Sequence, residues 1–312
     1  MRLLVTGGAG FIGTHLVERL LNEGNEVVCV DNFTLGKQEN VDKFSSNPNY
    51  KFYNIDIADT ELFCETLANE KIDKVYHLAA NSDIQKGAKN PLVDYNDTFM
   101  TTFSVLEYMR RNNIKGLFFS STSAIYGNES GKMLTEDLGG LLPISYYGGA
   151  KYASENFISS YSYMNDLNTM VFRFPNVIGP NLTHGVIYDF TRKLKNNPNE
   201  LEILGDGTQT KPYIYVLDLV DCIVKMTKDI PKGVTIYNVG VETATSVTKI
   251  ADIVCEVLGY ENVKYNYTGG NVGWKGDVPK FQYDLSKIHS TGWKATYTSD
   301  EAVRETVKHI NK

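Results

Sequence analysis

The first thirteen residues, MRLLVTGGAGFIG, restrict what this chain can fold into more than any other stretch. Leu3, Leu4, Val5 and Thr6 suit a buried strand, and they run straight into a turn carrying Gly7, Gly8, Gly10 and Gly13. Phe11, Ile12, Leu16 and Leu20 then recur at helical spacing. A strand, a glycine turn and a helix N-terminus make an anion site, because backbone N–H groups face outward and no Cβ blocks a diphosphate. The next apolar run, Glu26–Val30, ends in Asp31, 18 residues beyond Gly13. A carboxylate there accepts both hydroxyls of an adenosine ribose and repels a 2′-phosphate, and no Arg or Lys follows before Lys37. The stretch predicts a dinucleotide site that takes NAD in preference to NADP. Taken alone, such a turn can also serve only to pack a helix on a strand.

The same rhythm continues. Strand signals at Tyr50–Asp56, Lys74–Leu78, Gly116–Ser120 and Thr169–Phe174 alternate with helical patterns at Thr60–Asn69, Pro91–Asn112 and Tyr146–Asn165. This predicts an α/β fold, a Rossmann-type doubly wound parallel sheet with helices on both faces. Polar residues end the strands: Asp31, Asp56, His77, Ser120 and Ser121. From about Asn176 the alternation loosens into turn clusters at 179–181 and 205–207, with helices expected at Val186–Lys195 and Thr245–Leu258. The expected division is a dinucleotide-binding domain over 1–175 and a smaller C-terminal α/β substrate-binding lobe over 176–312. Some chain near 213–240 is expected to re-enter the sheet.

Two further stretches carry chemistry. In Tyr147-Gly148-Gly149-Ala150-Lys151, a phenol and an ammonium lie one helical turn apart. An ammonium near a phenol favours the phenolate, and with a cationic cofactor beside it the phenol is expected to fall from about 10 towards 7. Tyr147 is then a general base and acid near neutrality. The second stretch, Ser120–Gly127, follows a strand and offers hydroxyls at the same sheet edge. Alone, a Tyr/Lys pair also arises by chance in a chain with 20 tyrosines, and a serine-rich turn also serves as local caps.

The rest of the composition narrows the partners. A net charge of −6 and the lack of a basic run argue against nucleic acid, and the longest apolar stretches are strand-sized, which argues against a membrane span. The first residues already form a folded element, so no cleavable signal is expected. Cys29, Cys64, Cys222 and Cys255 are scattered with no CxxC pair, which suits a reducing cytoplasm and no zinc site.

Together these pieces reach a family. The chain resembles the extended short-chain dehydrogenase/reductases, and among them the NAD-dependent sugar-nucleotide epimerases and dehydratases. The stretches that carry the resemblance are TGGAGFIG (6–13), DN (31–32), DI (56–57), HLAA (77–80), SSTSAIYG (120–127), YGGAK (147–151), RFPNVIGP (173–180), GDGTQ (205–209) and GD (276–277). They are collinear over essentially the whole chain and look most like the UDP-glucose 4-epimerase branch. The resemblance implies that Gly7, Gly10 and Gly13 cradle the NAD pyrophosphate, with N–H groups from Phe11 and Ile12. It implies that Asp31 and Asn32 hold the adenosine ribose, Asp56 and Ile57 the adenine, and that Leu78, Ala79 and Ala80 line the cofactor cleft. Tyr147 is the implied base. Lys151 holds the nicotinamide ribose and tunes Tyr147, and Thr122 takes the Ser/Thr position. Ser82, Asn176, Lys211, Tyr213 and Asp277, with Thr122, are the implied contacts of a nucleotide-diphosphate sugar. His77 is expected to be structural, and a homodimer is expected through helices near 91–112 and 146–165.

The same stretches discriminate among reactions. Dehydratases of this type carry Asp and Glu directly after the catalytic Thr, where this chain has Ser123 and Ala124. Neither performs general acid/base work. The expected activity is a nucleotide-sugar 4-epimerase acting through transient oxidation at C4. The alternatives are a 4-dehydrogenase that stops at the ketone, and, further off, a 4,6-dehydratase with acid and base supplied by Asp83 or Glu136, or a non-catalytic NAD-binding protein. The chain departs from the family pattern at Thr98, where an Asn usually faces the cofactor, at Lys211-Pro212, and at Trp274-Lys275.

Overall fold

The computed structural model describes residues 1–129, 131–270 and 278–310. The chain gathers into two units. The first holds residues 1–127, 141–173 and 220–237, and the second holds 128–140, 174–219 and the chain from 238 onward.

The first unit is built on a seven-stranded sheet. Its strands are β1 (Arg2–Thr6), β2 (Glu26–Asp31), β3 (Tyr50–Asn54), β4 (Lys74–His77), β5 (Gly116–Thr122), β6 (Asn168–Phe174) and β7 (Val234–Asn238). They lie in the order β7-β6-β5-β4-β1-β2-β3. The registers from β3 through β5 are all parallel, with Leu4 beside both Val28 and Val75. Strands covered on both faces read as unbroken apolar runs, and Leu3–Val5 and Val27–Val30 are all buried. The order of strands reverses between β1 and β4. Such a reversal is where an open α/β sheet places its ligand.

Four helices matter for the site: α1 (Phe11–Asn22), α2 (Thr60–Thr66), α3 (Thr101–Arg111) and α4 (Tyr146–Asn165). Phe63 of α2 and Val105, Leu106, Tyr108 and Met109 of α3 join Leu4, Val75, Leu117 and Phe119 in one core. Each such fully buried side chain contributes on the order of 1.5–3 kcal/mol. The single helix expected over 91–112 is instead wound in three parts: Pro91–Asp94 and α3, with a π-helical segment, Tyr95–Met100, between them. Threonine and serine hydroxyls explain the change of winding. Thr101 Oγ1 donates to the carbonyls of Asp97 and Thr98, and Thr102 Oγ1 to that of Thr98 at 2.8 Å. Such bonds compete with the regular ladder.

Helix α4 starts at Ser145, whose hydroxyl accepts from Gly148 N at 3.1 Å, and ends at Asp166 in the left-handed conformation. Its buried stripe is Gly148, Lys151, Ser154, Glu155, Ile158 and Ser162. The spacing is that of an ordinary amphipathic helix, but the stripe is mostly polar.

The second unit has its own core, in which Ile187, Phe190 and Leu194 meet Ile250, Val254, Ala302 and Val303. Its short strands pair locally: Asn176–Ile178 with Tyr213–Tyr215, and Glu200–Ile203 with Lys264–Tyr267, both parallel. One departure from the boundary at 175, and the expected return of later chain to the sheet, have simple causes. Residues 128–140 group with the second unit because Met133–Leu134 pairs with Gln282–Tyr283. Residues 220–237 return to the first because β7 adds an edge strand beside β6.

Candidate active site

The turn after β1 is set by backbone contact. Gly7 has φ +71°, and a Cβ there would sit 2.7 Å from Ala79 N in the loop after β4. A Cβ on Gly13 would enter the backbone of Gly7 and Gly8. Only glycine lets the two loops and α1 approach this closely. Gly10 is the N-cap of α1, no side chain caps that end, and no acidic residue occupies the first turn. The N–H groups of the first turn, from Phe11 onward, have no partner within the helix and stand ready for an anion.

Asp31, at the carboxyl end of β2, is buried, and its oxygens accept from Ala9 N at 3.1 Å and Phe33 N at 2.8 Å. The carboxylate is thus tied to the glycine turn. Burial pushes its pKa up, and the backbone donors work against that. Each oxygen keeps acceptor capacity for a ribose hydroxyl. Asn32 is exposed and accepts from Thr34 N, Asp56 is exposed and accepts from Ala58 N, and Ile57 is buried. Leu78, Ala79 and Ala80 are half-buried directly after β4. A cradle closed to any Cβ, an uncapped helix end and a carboxylate at the second strand fit NAD.

Thr122 ends β5. Its hydroxyl accepts from Ala124 N at 3.1 Å, which caps a 3₁₀ turn over Ser123–Tyr126, and it hydrogen-bonds the Tyr147 phenol. Gly148 permits this meeting, because a Cβ there would lie 2.5 Å from the Ala124 carbonyl. Lys151 is buried, donates to the Ser120 carbonyl at 2.7 Å, and lies 4.7 Å from the centre of the Phe119 ring.

In the protein alone, burial governs both groups. Burial pushes the phenol up to about 12, although its bond to Thr122 pulls it down. Burial lowers Lys151 to about 7, with Glu155 raising it. The Lys151 ammonium donates to the Ser120 carbonyl, and the expected lowering of the phenol counts a cationic cofactor beside it as well as Lys151.

His77 is a strut. Nδ1 pairs with Thr6 Oγ1 at 2.7 Å and Nε2 with Thr102 Oγ1 at 3.0 Å, and burial drives the ring well below its ordinary value. Asp83 caps the helix Ile84–Lys89 through Lys86 N, and Glu136 accepts from Asn238 N at 2.8 Å. Each carboxylate offered as a substitute acid or base thus accepts a backbone hydrogen bond. Ser82 is exposed in the loop after β4. In the second unit, Asn176 and Tyr213 are direct partners across two paired strands, and Lys211 pairs with Thr245. Asp277, Trp274 and Lys275 lie outside the described residues.

Two groups escaped sequence reasoning. Asn81 and Asp94 are both buried and bonded at 2.8 Å, and Thr98 Oγ1 accepts from Asn81 N, so the hydroxyl at the family's usual Asn position is occupied in holding the loop after β4. Glu155 and Arg173 form a buried ion pair behind Lys151 at 2.7 Å. The signal for the second was present: Glu155 follows Lys151 by four residues on the same helix.

Residues 3–240 match the profile of the NAD dependent epimerase/dehydratase family. The chain is 32% identical to a UDP-glucose 4-epimerase of Lactobacillus helveticus, over 97% of this chain and 94% of that protein. Its fold matches a crystal structure of UDP-glucose 4-epimerase with UDP-glucose from Thermotoga maritima at a TM-score of 0.89 and 31% identity. It matches that of a Thermus thermophilus UDP-glucose 4-epimerase in complex with NAD at 0.88 and 30%. Each alignment covers 100% of this chain and 99% of the other. The glycine cradle, the Thr122–Tyr147–Lys151 cluster and these likenesses agree: the chain belongs to the NAD-dependent epimerase/dehydratase family.

Proposed function

We propose that this chain is an NAD-dependent nucleotide-sugar 4-epimerase in which Tyr147, Thr122 and Lys151 act on the C4 carbinol of the sugar. Bound NAD supplies a reversible hydride acceptor. Tyr147 takes the C4 hydroxyl proton as the carbinol is oxidised and returns it after the 4-keto sugar has turned over. Thr122 donates a hydrogen bond to the developing ketone oxygen. Lys151 holds the ribose beside the reacting carbon and supplies positive charge near the phenol. Gly7, Gly10, Phe11, Ile12 and Gly13 hold the pyrophosphate, and Asp31 and Asn32 the adenosine ribose. Asp56, Ile57, Leu78, Ala79 and Ala80 line the rest of the cofactor path. Ser82, Asn176, Lys211 and Tyr213 are the proposed contacts of the sugar nucleotide.

The observation that carries this reading is the Thr122 turn. Its hydroxyl meets Tyr147, and the next two side chains, Ser123 and Ala124, bring no carboxyl group. The site therefore moves a hydride and a proton at one carbon and lacks the second acid/base pair that elimination of water needs. The test is to supply UDP-glucose in deuterated water and follow the product by NMR and mass spectrometry. The expected product is the C4 epimer with no deuterium at C5 or C6. Deuterium at C6 with loss of one water, or free NADH accumulating in step with a keto product, overturns the assignment.

The chain acts as a homodimer in this reading, joined by Phe157 of α4 and the two helical segments that precede α3. Leu92, Tyr95 and Phe157 are exposed, and the Phe99 ring meets Phe157 edge-on at 5.1 Å. Leu106 and Met109, further along the same stretch at helical spacing, are buried in the chain's own core and take no part. Light scattering at micromolar concentration checks the state. Four unpaired, buried cysteines suit a reducing compartment such as the cytoplasm, and among the described residues no helix is long and apolar enough to cross a membrane.

A further inference from the structure

We propose that Glu155, anchored by Arg173 and Ser121, is a positioning residue that keeps the Lys151 side chain charged and seated against the Ser120 carbonyl. The inference rests on the reading of Lys151 as the group that tunes Tyr147.

The geometry is specific. Glu155 lies one turn along α4 from Lys151, in the same buried polar stripe. Its carboxylate accepts from Arg173 Nε at 3.1 Å and Nη2 at 2.7 Å, and from the Ser121 hydroxyl. Arg173 comes from β6, donates to the Tyr126 phenol at 2.9 Å and lies 5.1 Å from the centre of that ring. Ser121 is the residue between Ser120, whose carbonyl holds Lys151, and Thr122, which meets Tyr147. The carboxylate thus ties together α4, β5 and β6, and Arg173 extends the tie to the 3₁₀ turn.

Lys151 needs such a counter-charge. A buried ammonium without a carboxylate loses its proton. The groups facing it are few. Strand β5 offers the Ser120 carbonyl and the Phe119 ring, and β4 offers His77, which is neutral and, if protonated, would repel the ammonium. Its own helix offers Tyr147 on one side and Glu155 on the other. Glu155 is the opposite charge that raises Lys151 against burial. Asp94 acts on Tyr147, not on Lys151. Arg173 holds the Glu155 carboxylate in place through two guanidinium nitrogens.

The test reads Lys151 directly. In ligand-free protein labelled with ¹³C at lysine Cε, the Lys151 resonance is assigned by its loss in Lys151→Met. In the wild type it should titrate near 7. In Glu155→Gln, which keeps a hydrogen-bonding side chain but removes the charge, it should titrate lower by about one unit or more. With NAD and sugar nucleotide present, the alkaline limb of kcat should move the same way while KM changes less than about two-fold. Because Glu155→Gln leaves Arg173 without its carboxylate and risks unfolding, the charge-neutral pair Glu155→Gln/Arg173→Gln is read alongside it, with a smaller shift in the same direction. Glu155→Asp should return the limb towards the wild type. A Lys151 titration unmoved in either folded variant overturns the proposal, as does a kcat loss equal at every pH. If the limb persists in Lys151→Met, the reading of Lys151 itself fails. If it vanishes there but is unmoved in Glu155→Gln, only the role of Glu155 fails.

Discussion

The glycine turn after β1 and the polar stripe of α4 belong to the same unit, but they are held in different ways. The turn is fixed by backbone against backbone. Gly7 meets Ala79, Gly13 meets Gly7 and Gly8, and Asp31 accepts from Ala9 N. Nothing in it depends on protonation of a side chain other than Asp31. The stripe is fixed by buried charge. Lys151, Glu155 and Arg173 sit together, and the pKa values of Tyr147 and Lys151 are pushed apart by burial, one to about 12 and the other to about 7. A turn of the first kind is complete as soon as the chain folds. A stripe of the second kind reaches its working state only when further charge arrives, because at neutral pH the phenol keeps its proton and the lysine beside it is only half charged.

The comparison breaks first at Gly13. Gly13→Val adds a branched side chain where even a Cβ collides with backbone. The expected result is loss of at least about 100-fold in NAD affinity by calorimetry, near 3 kcal/mol, with activity lost alongside. Unchanged affinity in a folded variant would mean that the turn serves only to pack α1. On the other side of the comparison, Tyr147→Phe removes one oxygen from a site whose shape is otherwise retained. It should fold, bind NAD as the wild type does and lose about 100-fold or more in kcat, the scale of a general base. Turnover near the wild-type rate removes Tyr147 from the chemistry.

This contrast also explains what the sequence discloses. The turn is legible because its causes are local: strand, glycines, helix and acidic residue stand within 31 consecutive residues, and each has a single conformational reason. The sheet is legible for the same reason, since buried parallel strands must be apolar throughout. The Tyr147–Lys151 pair is legible as a spacing but not as a state. Its pKa values depend on the Ser120 carbonyl, on Phe119 and on Glu155, which arrive from different elements. Arg173 stands in a stretch that reads as one more strand, and only folding brings it to Glu155. The π-helical segment at Tyr95–Met100 was hidden because apolar spacing over 91–112 satisfies a continuous helix, while the hydroxyls that rewind it are silent in that pattern.

A smaller effect sharpens the turn's side of the comparison. Asp31→Ala removes a carboxylate that braces Ala9 N and stands where a ribose hydroxyl would bind. NAD affinity should fall about ten-fold, near 1.4 kcal/mol, and the preference over NADP should narrow because the repelling charge is gone. Calorimetry with both cofactors decides it, and a variant with the wild-type preference places the ribose elsewhere.

The smallest effect is a stability, and it belongs to the stripe. Lys151 is lowered in the folded chain to about 7 from an ordinary 10.5. Between those two values the unfolded chain holds a proton that the folded chain has released. Stability therefore rises with pH across that window, and it falls back as pH drops through 7, where the buried ammonium must be charged in both states. From pH 7 to pH 8 the gain is about 1 kcal/mol for one such group. Other groups titrate too, so the quantity to measure is a difference: the urea midpoint of ligand-free wild type against Lys151→Met, at both pH values. The wild type should gain on the variant as pH is raised. A difference that stays constant would mean that Lys151 is fully charged throughout, so that Glu155 already outweighs burial. The phenol would then face a permanent cation, and the stripe would be as complete on folding as the glycine turn.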